Sequence, residues 1–254
     1  MTTLIHSISE WQALRATISN DLGVVPTMGN LHLGHLSLLQ RAVQENEVSV
    51  LTIFVNPTQF NSANDYVHYP RTLESDLKMA EEAGVAYVLA PQYQEMYPDD
   101  YAYQVNEQEA SELMEGAFRP GHFSGMLTIV LKLLMLVKAK RAYFGEKDYQ
   151  QLELIRGMVE AFFLETEIRS CPTIRTDFGL PYSSRNRRLT AEQYEQARHF
   201  PAIFHSKLSC AEIKKQLQEK GFEVDYVEEY TGRRFAAVKL GEVRLIDNFH
   251  LEEI

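Results

Sequence analysis

The sequence predicts an α/β fold, an open and doubly wound parallel sheet that gives way after residue 174 to a smaller α+β domain. Three observations predict it. Two apolar, β-branched runs, 22–26 and 48–55, flank one stretch of helical periodicity and so make a β-α-β unit. Each run ends in a polar loop bearing glycine or proline, as strands do where open α/β sheets bind ligands. From Arg175 the texture changes: Asp177, Gly179 and Pro181 mark a loop, and a cluster of hydroxyls and arginines follows.

Taken in order, residues 9–19 alternate polar and apolar positions at helical spacing, with Ser7 or Ser9 as the N-cap. The first strand is expected at 22–26, closed by Pro26, with Gly29 and Asn30 in the turn behind it. A helix runs from Leu31 to about Glu45, its apolar face formed by Leu33, Leu36, Leu38 and Leu39. VSVLTIFV is the second strand, and Asn56-Pro57-Thr58-Gln59-Phe60 lies at its carboxyl end. Tyr69-Pro70-Arg71-Thr72 turns into a helix over 73–83 that Gly84 ends, and 86–90 reads as a strand. Residues 91–110 are expected to be irregular, and a loop over 115–123 precedes an apolar core helix at 125–138. A strand at 142–144, a turn at 145–148, a helix to about Phe163 and a strand over 167–174 complete the larger domain. Beyond it, helices are expected near 190–206 and 209–220, and strands at 222–228, 235–239 and 243–246.

Composition narrows the classes. With 45% hydrophobic and 24% charged residues the chain is that of an ordinary globular protein. A net charge of −10 argues against a general nucleic-acid binder, which carries a basic surface, but leaves room for a nucleotide held by a few local cations. Cys171 and Cys210 stand in neither a disulfide framework nor a metal spacing, which favours a reduced, cytoplasmic setting. The N-terminal residues lack a basic start followed by an apolar run, so no signal peptide is expected. The longest apolar stretch, 126–137, is interrupted by Lys132 and is too short to span a bilayer, so no membrane segment is expected.

The strongest chemical signal is VVPTMGNLHLGHLSLL, residues 24–39. His32 and His35 lie three apart in the first turn of a helix, so their imidazoles project from one side. Unpaired backbone N–H groups and the positive end of the dipole favour an anion there, and Gly34 lets a ligand approach the backbone. Two histidines at this spacing also fit a surface pair or half of a metal site. GEKDYQQ puts Lys147 and Asp148 at a helix start with Gln151 one turn on: a cation for phosphate and a carboxylate for ribose hydroxyls, or an exposed charged turn. SSRN offers two hydroxyls and a guanidinium to a triphosphate, or a helix N-cap with a basic face. NPTQF supplies two amides at a strand end, or a simple turn.

Together these motifs are far more specific. H-x-G-H directly after a strand and turn is the nucleotide-binding signature of the adenylyltransferase and class I aminoacyl-tRNA synthetase superfamily. PTMGNLHLGH, FVNPTQF, YPRT, EGAFRPGHF, YFGEKDYQQ and SSRN stand in the order and spacing of the pantothenate synthetase (pantoate–β-alanine ligase) family. VRLIDN resembles that family's C-terminal signature, so the resemblance runs from residue 22 to 250. It implies a Rossmann-like domain for ATP and pantoate over 1–174 and a small lid domain over 175–254. It also implies an ATP-dependent ligase of vitamin B5 and coenzyme A biosynthesis that passes through a pantoyl adenylate, uses Mg²⁺, works in the cytoplasm and forms a homodimer.

Carried over residue by residue, the resemblance makes Met28, Gly29, Asn30, Leu31, His32, Leu33, Gly34 and His35 the first ATP segment, with the two histidines at the phosphates and His35 a proton donor. Gly145, Glu146, Lys147 and Asp148 would bind ribose and phosphate, with Lys147 on the α-phosphate. Ile174 would hold adenine by its backbone, and Tyr182, Ser183, Ser184 and Arg185 would close over the phosphates. His35, His32, Lys147 and Arg185 are the expected catalytic set. Gln59 and Gln151 would hold pantoate; Gln59, Asn56 and His122 would meet β-alanine; Glu115 and Arg119 would lie nearby. Asp76 would help to place Mg²⁺ through water. Three features depart from the family pattern. Leu33 replaces an acidic residue, Pro181-Tyr182 replaces a small residue followed by Leu or Met, and the chain between Tyr230 and Arg234 is short.

Overall fold

The computed structural model describes residues 1–253, and it divides into two units. The first comprises Met1–Glu146 and Gln150–Cys171; the second comprises Lys147–Tyr149 and Pro172–Ile254. The division falls at 171/172, three residues before the expected boundary, and it assigns the short segment at 147–149 to the second unit.

The first unit is a six-stranded, wholly parallel sheet in the order β1-β4-β3-β2-β5-β6. Its elements are β1 (Thr3–Ile5), α1 (Ile8–Arg15), β2 (Leu22–Thr27), α2 (Leu33–Glu45), β3 (Val48–Ile53), α3 (Ala63–Val67), α4 (Leu73–Glu82), β4 (Tyr87–Leu89), α5 (Tyr93–Met96), α6 (Glu115–Phe118), α7 (His122–Val137), β5 (Arg141–Gly145), α8 (Tyr149–Ala161) and β6 (Glu167–Cys171). The chain leaves β2 for β3 on one side and returns as β5 on the other. The carboxyl ends of β2 and β5 therefore flank the topological switch point, where doubly wound sheets bind ligands.

Several expectations shift in position. The strand at Thr3–Ile5 was not expected; three residues carry no periodicity, and pairing with β4 decides it. Pro26 does not end β2: β3 pairs all six of its residues through Thr27, whereas β5 pairs only Gly23 and Val24, so the missing N–H disturbs little. Ser7 is the N-cap of α1. A short helix interrupts the expected irregular stretch at 93–96, and α7 starts at His122, three residues earlier than expected. α7 is the core helix of the sequence reading, with Phe123, Met126, Leu127, Ile129, Val130, Leu133, Leu134 and Val137 all buried. Among the described residues, no helix is long and apolar enough to cross a membrane.

The second unit carries α9 (Ala191–Ala197), α10 (His199–Phe204) and α11 (Cys210–Glu219) with an antiparallel sheet, β7 (Glu223–Tyr230), β8 (Arg233–Leu240) and β9 (Val243–His250). Phe200, Phe204, Ile213, Leu217, Phe222, Ala236 and Val238 form its core. The strands are longer than expected because the turns are minimal. Tyr230 pairs directly with Arg233 across a two-residue turn, Thr231-Gly232, whose φ angles of 47° and 78° match the twist of the flanking strands. The short segment after Tyr230 is thus a tight hairpin.

Candidate active site

At the carboxyl end of β2, Thr27 starts the turn. Its Oγ1 donates to the Thr52 carbonyl at 2.8 Å and accepts the Gly29 N–H at 3.1 Å. Gly29 and Asn30 both take left-handed φ, 77° and 50°; at Gly29 an added Cβ would also lie 3.0 Å from Asp76 Oδ2. Asp76, on α4, closes the turn from below. Oδ2 accepts the Asn30 N–H at 2.9 Å and the Thr72 hydroxyl at 3.1 Å, and Oδ1 accepts the Leu31 N–H at 2.8 Å. This geometry gives Asp76 a structural task, to hold the turn, besides the expected water-mediated one toward Mg²⁺. The residue is 2% exposed, and direct coordination of a cation would compete with these hydrogen bonds.

α2 begins with a cap made of imidazoles. His32, the N-cap, accepts the Gly34 N–H on Nδ1 at 3.1 Å, and His35 accepts the His32 N–H on Nδ1 at 3.3 Å. The ring centroids are 4.0 Å apart. A nitrogen that accepts carries no proton, so each neutral ring holds its hydrogen on Nε2. The pair thus stands, with its N–H on Nε2, at the positive end of a 13-residue helix. Leu33 was expected on the buried face, yet it is 49% exposed, because the helix starts at Leu33 and buries Leu38, Leu39 and Ala42 instead.

Behind β3 lies a saturated amide. Asn56 Oδ1 accepts from the Tyr97 hydroxyl at 2.8 Å and from Thr58 Oγ1 at 3.0 Å. Its Nδ2 donates to Gln59 Oε1 at 2.9 Å and to the Gly125 carbonyl at 3.1 Å. All four hydrogen-bonding positions are therefore occupied within the protein. The expected contact of Asn56 with β-alanine gives way to a positioning role: it fixes the Gln59 amide so that Nε2, with no partner among the described residues, is the end left to donate. α7 approaches this turn so closely that a Cβ on Gly125 would stand 2.4 Å from the Thr58 carbonyl.

His122, 6% exposed, is likewise committed. Arg119 Nη1 lies 3.0 Å from His122 Nε2, and His122 Nδ1 lies 2.9 Å from the Gln59 carbonyl. Arginine can only donate, so Nε2 accepts and Nδ1–H donates to Gln59. Arg119 in turn pairs with Glu115 at 3.4 Å. His122 therefore acts on Gln59 through its backbone, a correction to the expected β-alanine contact. Of the adjacent amides, Gln150 is structural: it donates to the Ala110 and Leu113 carbonyls at 2.7 and 2.8 Å and accepts the Glu115 N–H at 3.1 Å. Gln151 is half-buried and makes no such bonds. At the end of β5, a Cβ on Gly145 would meet nothing within 4 Å, so glycine keeps space open there; Glu146 is the last residue of this segment in the first unit.

The second unit gathers the remaining set by itself. Lys147 Nζ lies 3.5 Å from Asp148 Oδ1. Residues 174–182 form a hairpin in which the Ile174 carbonyl accepts the Tyr182 N–H at 3.0 Å. Ser183 caps the 3₁₀ turn at Ser184–Arg188, its hydroxyl accepting the Arg185 N–H at 3.3 Å, and Asn186 Nδ2 ties the turn to the Pro181 carbonyl at 2.9 Å.

The model of the pantoate–β-alanine ligase family matches residues 2–250. The chain belongs to that family. A pantothenate synthetase of Coxiella burnetii is 59% identical over 250 residues, covering 98% of this chain and 96% of the relative. That of Legionella pneumophila is 55% identical, covering 98% and 99%. A solved pantoate–β-alanine ligase from Francisella tularensis, in complex with β-γ ATP and β-alanine, superposes with a TM-score of 0.96 at 40% identity, covering 99% of this chain and 98% of that one. The Rossmann-like sheet and the small C-terminal domain are the fold of this ligase family. Sequence reasoning missed Tyr97, which orients Asn56 and stands in no chemical motif, and it gave no role to Thr72 of YPRT, which shares Asp76; only the fold brings them to the site.

Proposed function

We propose that this ligase condenses (R)-pantoate with β-alanine to pantothenate at the expense of ATP. A carboxylate is a poor acylating agent because its leaving group would be oxide. A pantoate carboxylate oxygen attacks the α-phosphorus, the bond to the β-phosphate bridge breaks, and pyrophosphate leaves. The neutral amine of β-alanine then attacks the acyl carbon of the pantoyl adenylate, loses a proton and expels AMP. No protein nucleophile is needed.

One observation carries this reading: a chain of the ligase family caps the N-terminus of α2 with two imidazoles whose Nδ1 atoms accept backbone N–H groups. Negative charge builds on the phosphates in the first step, and preorganised donors stabilise it there without reorganising. Lys147 and Arg185 offer cationic charge for phosphate oxygens, and Asp148 a carboxylate for ribose hydroxyls. Gln59 and Gln151 take the pantoate carboxylate and hydroxyls, since amides bind both without neutralising the nucleophile. Gln59 also borders β-alanine, and Ile174 bounds the adenine. Among the described residues no group of three or more His, Cys, Asp or Glu side chains is assembled for a metal. Mg²⁺ therefore fits this chain as an ion carried on the triphosphate with much of its own water, supplying charge neutralisation.

The assay is AMP release from ATP, with pantothenate identified by mass spectrometry. Formation that requires both pantoate and β-alanine supports the reading. Equal turnover with unrelated carboxylic acids, or AMP release independent of pantoate, overturns it. Residence in the cytoplasm and a homodimer through the larger domain complete the proposal; light scattering of the purified chain tests the dimer.

A further inference from the structure

Lys147 opens the segment Lys147–Tyr149, which groups with residues 172–254 although strand β5 precedes it and helix α8 continues from it. Two contacts hold it to that unit. Asn248 Nδ2 donates to the Lys147 carbonyl at 2.8 Å, and the Arg233 guanidinium lies over the Tyr149 ring, 4.0 Å from its centroid. Asn248 is 4% exposed and tightly held. Its N–H donates to Asp247 Oδ1 at 2.8 Å, and its carbonyl accepts from Arg175 at 3.3 Å. Asp247 is itself clamped by both terminal nitrogens of Arg175, at 2.7 and 2.9 Å, and by His205 Nε2 at 2.9 Å. Arg233 is 9% exposed, and its Nε and Nη1 are buried without hydrogen-bond partners. The face of Tyr149 is what offsets that desolvated charge, so the stack resists displacement. Asp247 and Asn248 are the last two residues of the VRLIDN motif, and nothing in the reaction described above uses them.

We propose that Asn248, together with Arg233 on Tyr149, is a positioning residue for the Lys147 ammonium: the C-terminal sheet, through its last strand, sets where the phosphate-binding lysine stands. The proposal rests on the reading that Lys147 serves the α-phosphate. A lysine side chain has four rotatable bonds, so the backbone anchor fixes the origin from which the ammonium reaches. Misplacing a catalytic group by about 1 Å can cost about 100-fold.

The test is a double-mutant cycle on adenylate formation, read as pantoate-dependent exchange of pyrophosphate into ATP, with attack of β-alanine on preformed pantoyl adenylate measured alongside. Asn248→Ala is expected to slow exchange about 10- to 100-fold and leave the second half-reaction unchanged. In the Lys147→Ala background the same substitution should have no further effect, because groups acting as a unit are not additive. If Lys147→Ala slows exchange and the two losses multiply, Asn248 acts elsewhere and the proposal is overturned. If Lys147→Ala leaves exchange intact, the assignment of Lys147 itself fails and takes the proposal with it. Should Asn248→Ala not fold, Asn248→Asp keeps the shape, removes the donor and supplies the same cycle.

Discussion

Replacing Asp76 by Asn separates a carboxylate that holds a turn from one that serves a metal. The carboxylate accepts three hydrogen bonds at 2.8 to 3.1 Å, two of them from the buried N–H groups of Asn30 and Leu31. An isosteric amide has one oxygen. If that oxygen keeps Leu31, the new NH₂ faces the Asn30 N–H, donor against donor, while the Thr72 hydroxyl can reverse and accept. One buried N–H left without an acceptor costs about 1–3 kcal/mol, and loss of charge from the remaining bond costs about 1 more, so about 2–4 kcal/mol is expected in all. That is a large part of a domain's about 5–15 kcal/mol, yet it leaves the fold standing. Trp11, the single tryptophan, is fully buried in the first unit and reports its unfolding by fluorescence. Urea titration in the presence of a chelator should therefore show the loss of stability with no Mg²⁺ present. An unchanged midpoint, with only the Mg²⁺ requirement of turnover displaced, would refute the reasoning and return Asp76 to the metal.

Other expectations follow the same geometry. His35→Ala should lower kcat by about 100-fold or more, the scale of losing one preorganised donor, while far-UV dichroism shows a folded chain; near-normal turnover would remove His35 from the mechanism. Gln151→Ala should raise the pantoate KM by about 10- to 150-fold, as loss of hydrogen bonds to a charged group implies, and leave the ATP KM near its own value. Gln59→Ala should weaken pantoate and β-alanine together, and steady-state kinetics with each substrate varied in turn would expose a loss of ATP affinity instead. Burial pushes the phenols of Tyr97 and Tyr143 from the ordinary value near 10 up to about 12. A pKa raised on folding favours the protonated form, so their contribution is full below pH 10 and is lost as pH rises through 12. Ultraviolet titration should find these two phenols ionising after the exposed tyrosines, and Tyr97→Phe should flatten the alkaline fall in stability; early, simultaneous ionisation would contradict this.

What the sequence determined by itself was the local chemistry and the architecture that periodicity encodes. β-branched runs at 22–26 and 48–55, separated by a helical stretch, require a parallel β-α-β unit, since parallel strands need a crossover and both faces of such a sheet are buried. H-x-G-H after a glycine turn marks a helix start, and the motif order from PTMG to VRLIDN names the family. The alternating stretches beyond residue 222 read as strands, although their ends did not, because a two-residue hairpin extends pairing to the last residue. Tertiary structure alone decided which polar groups are spent inside the protein. Asn56 and His122 look like substrate contacts in a one-dimensional reading, yet Tyr97, 41 residues from Asn56, and Arg119 beside His122 occupy them. That Asp76 also holds the turn shows only when its oxygens are found accepting from Leu31 and Asn30, 45 and 46 positions back along the chain. Asn248 shows no chemistry until it reaches Lys147, 101 residues away. A hydrogen bond is short and directional, and sequence spacing carries no information about which distant carbonyl or N–H will stand within 3 Å of a side chain.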